Sequence, residues 1–202
     1  MQIGVRTLAA KLGLKGMQKL LSVRAIPAPV LSSKHAFKAP IGESNASLWS
    51  SRAALGKTME KIAYNGAMGR ECKNFPELTE YARCEYNNAV NEVQLSTSIP
   101  PLKIIGAADF VFTDNHGKTI LSEYKISMDK YPTTTDYLQA IIYAMLYAKQ
   151  YKKNIDIVEW FNPITGIQCR LLGPKDRLNN PDNIEKLVSV YTSHIIDLIK
   201  SG

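Results

Sequence analysis

Two short apolar runs, separated by a polar turn, occupy the middle of the sequence at residues 105–112 and 119–126. The cluster Asp-Asn-His-Gly at 114–117 lies between them, and its glycine can adopt the left-handed backbone conformation that tight turns need. Apolar runs of this length joined by such a cluster are typical of a β-hairpin. Because a hairpin holds its strands side by side, this stretch fixes the neighbours and faces of the side chains it carries.

Three ionisable side chains lie on the predicted hairpin, with Asp109 on the first strand and Glu123 and Lys125 on the second. Residues i and i+2 of a strand share a face, so Glu123 and Lys125 point the same way and Tyr124 points to the other. The hairpin would therefore bring two carboxylates and one ammonium together at one end.

Such a set of side chains suits metal-assisted hydrolysis. Two carboxylates neutralise a hard divalent cation such as Mg²⁺ or Mn²⁺, which prefers oxygen ligands and keeps several waters. The metal lowers the pKa of a bound water so that it can attack, and a neighbouring lysine stabilises charge on a phosphate. The spacing Glu-x-Lys is a weak signal by itself, because a second copy at Glu71 and Lys73 has no apolar strand around it.

The order of features along the chain is more specific than that spacing. Gly106 stands three residues before Asp109, and a helix predicted over 136–151 follows the second strand. On this helix Gln139 and Tyr143 are four residues apart and share a face. A tyrosine at such a position can equally be a core aromatic. The polar loop before the helix carries Lys130, a candidate contact to a phosphate backbone.

The succession of Gly-x-x-Asp on a strand, a turn, Glu-x-Lys on the next strand and Gln-x-x-x-Tyr on a helix resembles the PD-(D/E)XK nuclease superfamily in its RecB-like branch. The layout is similar to small phage exonucleases and to mitochondrial genome maintenance exonucleases, over residues 53–151. The resemblance implies that Asp109 and Glu123 are metal ligands and that Lys125 is the catalytic lysine. It also implies that Gln139 and Tyr143 orient the active site and touch the nucleic acid.

Two further acidic residues match the family pattern in part. The family places a glutamate shortly before the Gly-x-x-Asp strand, and Glu92 is the candidate for this further metal ligand. Its first helix usually carries Gly-x-x-x-His, whereas here Gly56 is followed by Glu60 at the histidine position. The number of metals is therefore open, and solvated surface positions are the alternative for both glutamates.

The positive charge of the chain is concentrated at its start. The net charge is +7, and residues 1–42 hold seven basic residues and no acidic one, leaving eighteen of each in the remainder. We expect residues 1–42 to be a basic N-terminal arm or a targeting segment, preceding a RecB-like nuclease domain at 43–202. A helix is predicted at 1–25, followed by a proline-containing loop or linker at 26–47. An ordinary solvated surface helix is the third interpretation of 1–25.

The other predicted elements indicate an α/β domain with a central mixed β-sheet flanked by α-helices and a restriction-endonuclease-like core. Helices are predicted over 48–66, 74–91 and 183–200, and strands over 92–98, 155–161 and 167–172. No apolar run reaches the roughly 18 residues that would span a bilayer, so no membrane partner is expected. Three cysteines fall short of the four thiolates of an iron–sulfur cluster, which is not expected either.

The motifs and the resemblance together predict a divalent-metal-dependent deoxyribonuclease. The resemblance alone implies an exonuclease that acts on single-stranded or frayed DNA ends in replication, recombination or repair. The alternatives are a catalytically inactive nucleic-acid-binding protein with the nuclease fold, and a structural protein in which the three hairpin residues form a surface ion pair. We expect a cytoplasmic phage or bacterial protein, with a mitochondrial protein as the alternative.

Overall fold

The computed structural model describes residues 1–20, 30–34, 52–73, 75–126 and 131–172. Seven strands and four helices lie in these ranges. The strands are β1 Gln2–Gly4, β2 Val30–Lys34, β3 Asn87–Ile99, β4 Leu102–Thr113, β5 Thr119–Tyr124, β6 Ile157–Asn162 and β7 Ile167–Leu172. The helices are α1 Val5–Leu20, α2 Arg52–Ala67, α3 Pro76–Glu85 and α4 Thr134–Tyr151.

All seven strands belong to one mixed sheet. The hydrogen-bonded path runs β1-β4-β5-β6-β7-β2, and β3 pairs with β4 as well. The pairs β1/β4 and β5/β6 are parallel and the others are antiparallel. The expectation of an α/β domain with a mixed sheet flanked by helices is confirmed.

Helices cover both faces of the sheet, which explains why the central strand β5 is buried along its whole length. On one face α1 and α4 pack with Leu121 of β5 into one apolar cluster. On the other face α2 and α3 pack with Ile120 and Tyr124 into a second cluster. Even-numbered residues of β5 therefore face α2 and α3, and odd-numbered residues face α4.

The predicted hairpin is confirmed as β4 and β5. Asp114 stabilises the turn, because its carboxylate accepts hydrogen bonds from the amides of His116 and Lys118 at 2.8 and 2.9 Å. Gly117 has φ 76°, the left-handed conformation that its position in the turn requires. Strand β5 ends at Tyr124, one residue before the lysine of the Glu-x-Lys motif.

The start of the chain differs from the expectation of an arm at 1–42. Strand β1 pairs with β4, and Ile3, Val5 and Leu8 are buried in the cluster shared with α4. The first 13 residues thus pack onto the domain through their buried side chains. Strand β2 also lies inside the segment predicted as a linker and pairs with β7. Both strands are short and gain their partners from distant parts of the chain, so no local pattern marks them.

The remaining elements agree with the sequence to within a few residues, except that α3 ends at Glu85 where the sequence predicted helix to 91. Strand β3 begins at Asn87 instead of residue 92. The predicted helix at 183–200 and the start of the one at 48–66 lie outside the described residues. In the part of the chain that is described, no helix is long and apolar enough to cross a membrane.

Candidate active site

The site lies at a gap in the pairing along one edge of β4. Strand β3 pairs with β4 from Leu102 to Thr113, so β1 and β5 must share the opposite edge. On that edge β1 pairs with residues 103–105 and β5 with residues 110–113. Within the described ranges, residues 106–109 have no strand partner on that edge, and these four residues are the Gly-x-x-Asp motif.

Carboxylates take the place of backbone partners where β4 and β5 diverge. The amide of Asp109 donates to Glu123 Oε1 at 3.2 Å, and the amide of Tyr124 donates to Asp109 Oδ2 at 2.8 Å. Buried backbone donors need partners, so these crossed hydrogen bonds both complete the sheet and fix the two acids. Glu123 is completely buried on the α4 side of β5, whereas Asp109 remains partly accessible.

Helix α4 supplies the polar groups above this gap. Gln139 Nε2 donates to Glu123 Oε2 at 3.0 Å and lies 3.4 Å from the hydroxyl of Tyr143. The Gln139 side-chain carbonyl oxygen is buried and has no hydrogen-bond partner among the described residues. Gln139 and Tyr143 are each only 5% exposed, so both turn toward Glu123 and away from open solvent.

The ring of Tyr143 explains why a glycine opens the motif. A Cβ built on Gly106 would lie 2.5 Å from Cε1 of Tyr143 and 3.1 Å from Cγ2 of Val5. Any other residue would have to displace the ring, because real Cβ contacts are longer than this. The Gly-x-x-Asp and Gln-x-x-x-Tyr motifs therefore belong to one packing arrangement, to which α1 also contributes.

Lys125 completes the group that the sequence predicted. Its ammonium lies 3.6 Å from Glu123 Oε2, and its side chain is 19% exposed. Its amide donates to the carbonyl of Phe161 at 2.9 Å, which continues the pairing with β6 just beyond the end of β5. The structure thus brings Asp109, Glu123 and Lys125 together with Gln139 and Tyr143.

Glu60 and Glu92 lie at the same site and are joined by a lysine that the sequence did not single out. Lys57 Nζ is 2.7 Å from Glu60 Oε2 and 3.0 Å from Glu92 Oε1. Glu92 has φ 50°, a conformation that costs a non-glycine residue about 1–3 kcal/mol and that often marks a functional position. The i, i+3 spacing of Lys57 and Glu60 is the signal that could have indicated the contact.

Burial and like charge both act on the carboxylates. Burial raises the pKa of Glu123 well above its ordinary value, the charge of Asp109 adds to this, and Lys125 opposes it. Burial also raises the pKa of Asp109, with Lys125 again opposing the shift. For Glu60, burial and then the charge of Asp109 raise the pKa. Protonation or a bound cation would relieve this crowding of negative charge.

Asp109 and Glu123 fit a cation held by two carboxylates and water, the mode that Mg²⁺ commonly uses. Within the described ranges no three His, Cys, Asp or Glu side chains are grouped as ligands of one metal. Each carboxylate oxygen has two lone pairs, so the existing hydrogen bonds leave acceptor capacity. The unpartnered oxygen of Gln139 is a further acceptor at the same place.

Two other predicted features lie elsewhere. Lys130 is outside the described residues, so its predicted contact to a phosphate backbone stays a prediction. The second Glu-x-Lys copy, Glu71 and Lys73, lines a surface cavity of about 430 Å³ beside α3 and stands outside any strand.

No protein-family model matches the chain, and no curated protein matches it. Among solved structures, the crystal structure of SSO0001 is similar with a TM-score of 0.45 and 17% sequence identity. The match covers 94% of this chain and 76% of that one.

Proposed function

We propose that this chain is a divalent-metal-dependent nuclease that hydrolyses DNA phosphodiester bonds, with a restriction-endonuclease-like core of the RecB-like type. The observation that supports this most is the meeting of two carboxylates, one ammonium and one glutamine at the gap in β4. Asp109 lies on β4, Glu123 on β5 and Lys125 just after the end of β5, and each is held by a specific contact. A chance surface ion pair would not need Glu123 to be completely buried.

In this proposal Asp109 and Glu123 hold Mg²⁺ or Mn²⁺. When bound, the cation supplies Lewis-acid polarisation of a phosphoryl oxygen and lowers the pKa of a water. Gln139 keeps the Glu123 carboxylate in place through its 3.0 Å hydrogen bond. Lys125, beside that carboxylate, orients the attacking water and stabilises negative charge that develops on the phosphate.

The proposed substrate is single-stranded DNA or a frayed duplex end, and the proposed reaction is exonucleolytic, in replication, recombination or repair. The net charge of +7 favours association with a polyanion. Preference for a strand end rests on the motif resemblance described above.

Digestion of end-labelled linear and circular single-stranded DNA, in parallel with Mg²⁺, Mn²⁺ or a chelator, tests the function. We expect metal-dependent loss of the linear substrate and survival of the circle. The isosteric variants Asp109→Asn and Glu123→Gln should abolish cleavage and weaken Mn²⁺ binding in isothermal titration, because each loses a ligand charge. Without metal the thermal stability of Asp109→Asn should hold or rise, since charge repulsion at the site is reduced and the side-chain oxygen still accepts from the Tyr124 amide.

Two outcomes would contradict the proposal. If the protein binds DNA but cleaves it neither with Mg²⁺ nor with Mn²⁺, the inactive nucleic-acid-binding alternative would be favoured. Mn²⁺ affinity equal to wild type in Asp109→Asn or Glu123→Gln would remove that residue from the ligand set. Lys61→Met, an exposed change on α2, is the control for nonspecific charge effects.

A further inference from the structure

The contact that Lys57 makes with two glutamates is unusual for a side chain so open to solvent. The lysine side chain is 62% exposed, yet its ammonium lies within 3.0 Å of both carboxylates. The glutamates come from different elements, Glu60 from α2 and Glu92 from β3. Glu60 is almost buried, with a side chain only 10% exposed, so its charge has few other ways to be neutralised.

The ammonium stands where a divalent cation would fit. Because it is 2.7 Å from Glu60 Oε2 and 3.0 Å from Glu92 Oε1, the two oxygens are at most about 5.7 Å apart. Two oxygen ligands on opposite sides of a divalent cation are about 4 to 5 Å apart, given metal–oxygen distances of about 2.0–2.6 Å. Small side-chain rotations would therefore close these carboxylates on a metal if the ammonium were absent.

The charges of the whole site agree with a single additional cation. Four carboxylates, Glu60, Glu92, Asp109 and Glu123, face two ammonium groups, Lys57 and Lys125. The residual formal charge is −2, which one divalent cation held by Asp109 and Glu123 would neutralise. Removing the Lys57 charge would leave Glu60 and Glu92 without a counter-ion.

We propose that the Lys57 ammonium occupies the position of a second divalent cation and thereby limits the site to one metal. This inference rests on the proposed function for the identity of the first metal site. It assigns Lys57 as a positioning residue, which holds Glu60 and Glu92 and does not itself touch the reacting atoms.

Isothermal titration of the full chain with Mn²⁺ tests the inference without reference to activity. The wild type should bind one ion, and Lys57→Met, which keeps the length and helix propensity of the side chain, should bind two. Lys61→Met, one turn further along α2 and exposed, should bind one. The double variant Lys57→Met/Glu92→Gln should return to one ion, because the new site loses a ligand.

Each outcome decides the inference. The inference is overturned if Lys57→Met binds one ion with wild-type affinity. It is also overturned if the wild type binds two ions, and in that case the proposed function still stands. No ion in the wild type but one in Lys57→Met supports the Lys57 assignment and removes the metal-dependent function. No ion in either protein overturns both. If Lys57→Met does not fold, Lys57→Gln is titrated in its place, with the same expectations.

Discussion

Lys125 illustrates how single side chains acquire their roles at this site. It is the one cation next to Glu123, at 3.6 Å, among the contacts of the described residues, and it remains partly open to solvent. If it acts on the transition state, Lys125→Met should lower kcat at least tenfold, about 1.4 kcal/mol, with little change in the Kd for DNA. Single-turnover cleavage and filter binding on the same strand separate the two effects.

Wild-type turnover combined with weak DNA binding in Lys125→Met would show that the lysine contacts phosphate and has no catalytic role. The matched control is Lys118→Met, which changes an exposed lysine of the hairpin turn just before β5.

Glu159 is a buried carboxyl group on the face of the sheet opposite the site. Its Oε2 accepts a hydrogen bond from Gln168, and the hydroxyl of Ser122 lies beside the same carboxyl group. Burial raises the pKa of Glu159 to about 7. Its protonated form is therefore the one that suits the folded state.

We predict that Glu159 makes the folded protein less stable as the pH rises. Its folded pKa is above the unfolded value, so its contribution is full below about pH 4.5 and is lost through about pH 7. The difference in pKa corresponds to about 3 kcal/mol. Glu159→Gln cannot ionise at this position. In this variant the free energy of unfolding, measured by urea denaturation, should change less between pH 5 and 8 than in the wild type.

Equal pH profiles for Glu159→Gln and wild type would show that this carboxyl group is not the one titrating. Glu71→Gln, an exposed glutamate outside the secondary-structure elements, is the control. The site carboxylates, whose pKa values are also raised, act in the same direction when no cation is bound.

At the scale of elements, the contact between β4 and α4 positions the site. Helix α4 crosses the sheet from β7 to β3. At the β7 end the hydroxyl of Tyr137 donates to the carbonyl of Leu171. At the β3 end the side chain of Gln150 forms hydrogen bonds with the backbone of Gln94 and Ser96. Between these ends the helix passes directly over Gly106. The position of the helix therefore depends on a residue without a side chain.

Gly106→Ala should displace the ring of Tyr143 and thereby disrupt the hydrogen bond between Gln139 and Glu123. We expect a loss of stability of about 1–3 kcal/mol and a larger loss of cleavage. Tyr143→Leu in the same chain should recover part of the stability, giving a coupling energy of about 0.5–3 kcal/mol in a double-mutant cycle. Gly4→Ala is the control, since its Cβ would meet nothing closer than 4.0 Å. Additive effects would disprove the steric link.

For the whole molecule, the N-terminal residues are part of the fold. Deleting residues 1–13 removes β1 and the buried side chains of Ile3, Val5 and Leu8. We expect the truncated chain to lose its cooperative thermal transition and its cleavage activity, because the cluster shared with α4 is opened. Arg6→Gln, an exposed change on α1, should melt like the wild type. A truncated protein with an unchanged melting curve and full activity would restore the interpretation as a separate arm.

The sequence was most informative where the signal was local. The hairpin follows from alternation and turn chemistry, and the meeting of Glu123 and Lys125 follows from their i, i+2 spacing. The gap in pairing could not be predicted, because it depends on which residues of β4 pair with β1 and which pair with β5. Lys57 was missed because a lysine on a helix surface looks like any solvated residue until its partner on β3 is known.

The pairing of β1 with β4 also sets an order of events during synthesis. Gly4 pairs with Ile105, so the first strand has no partner until about a hundred further residues have been made. At a typical elongation rate of about 5–20 residues per second, that interval is roughly 5–20 s. Throughout it the apolar face of α1 has no sheet to cover it. During this interval the emerging chain can bind chaperones or aggregate. The strands that flank Asp109 can assemble only late in synthesis.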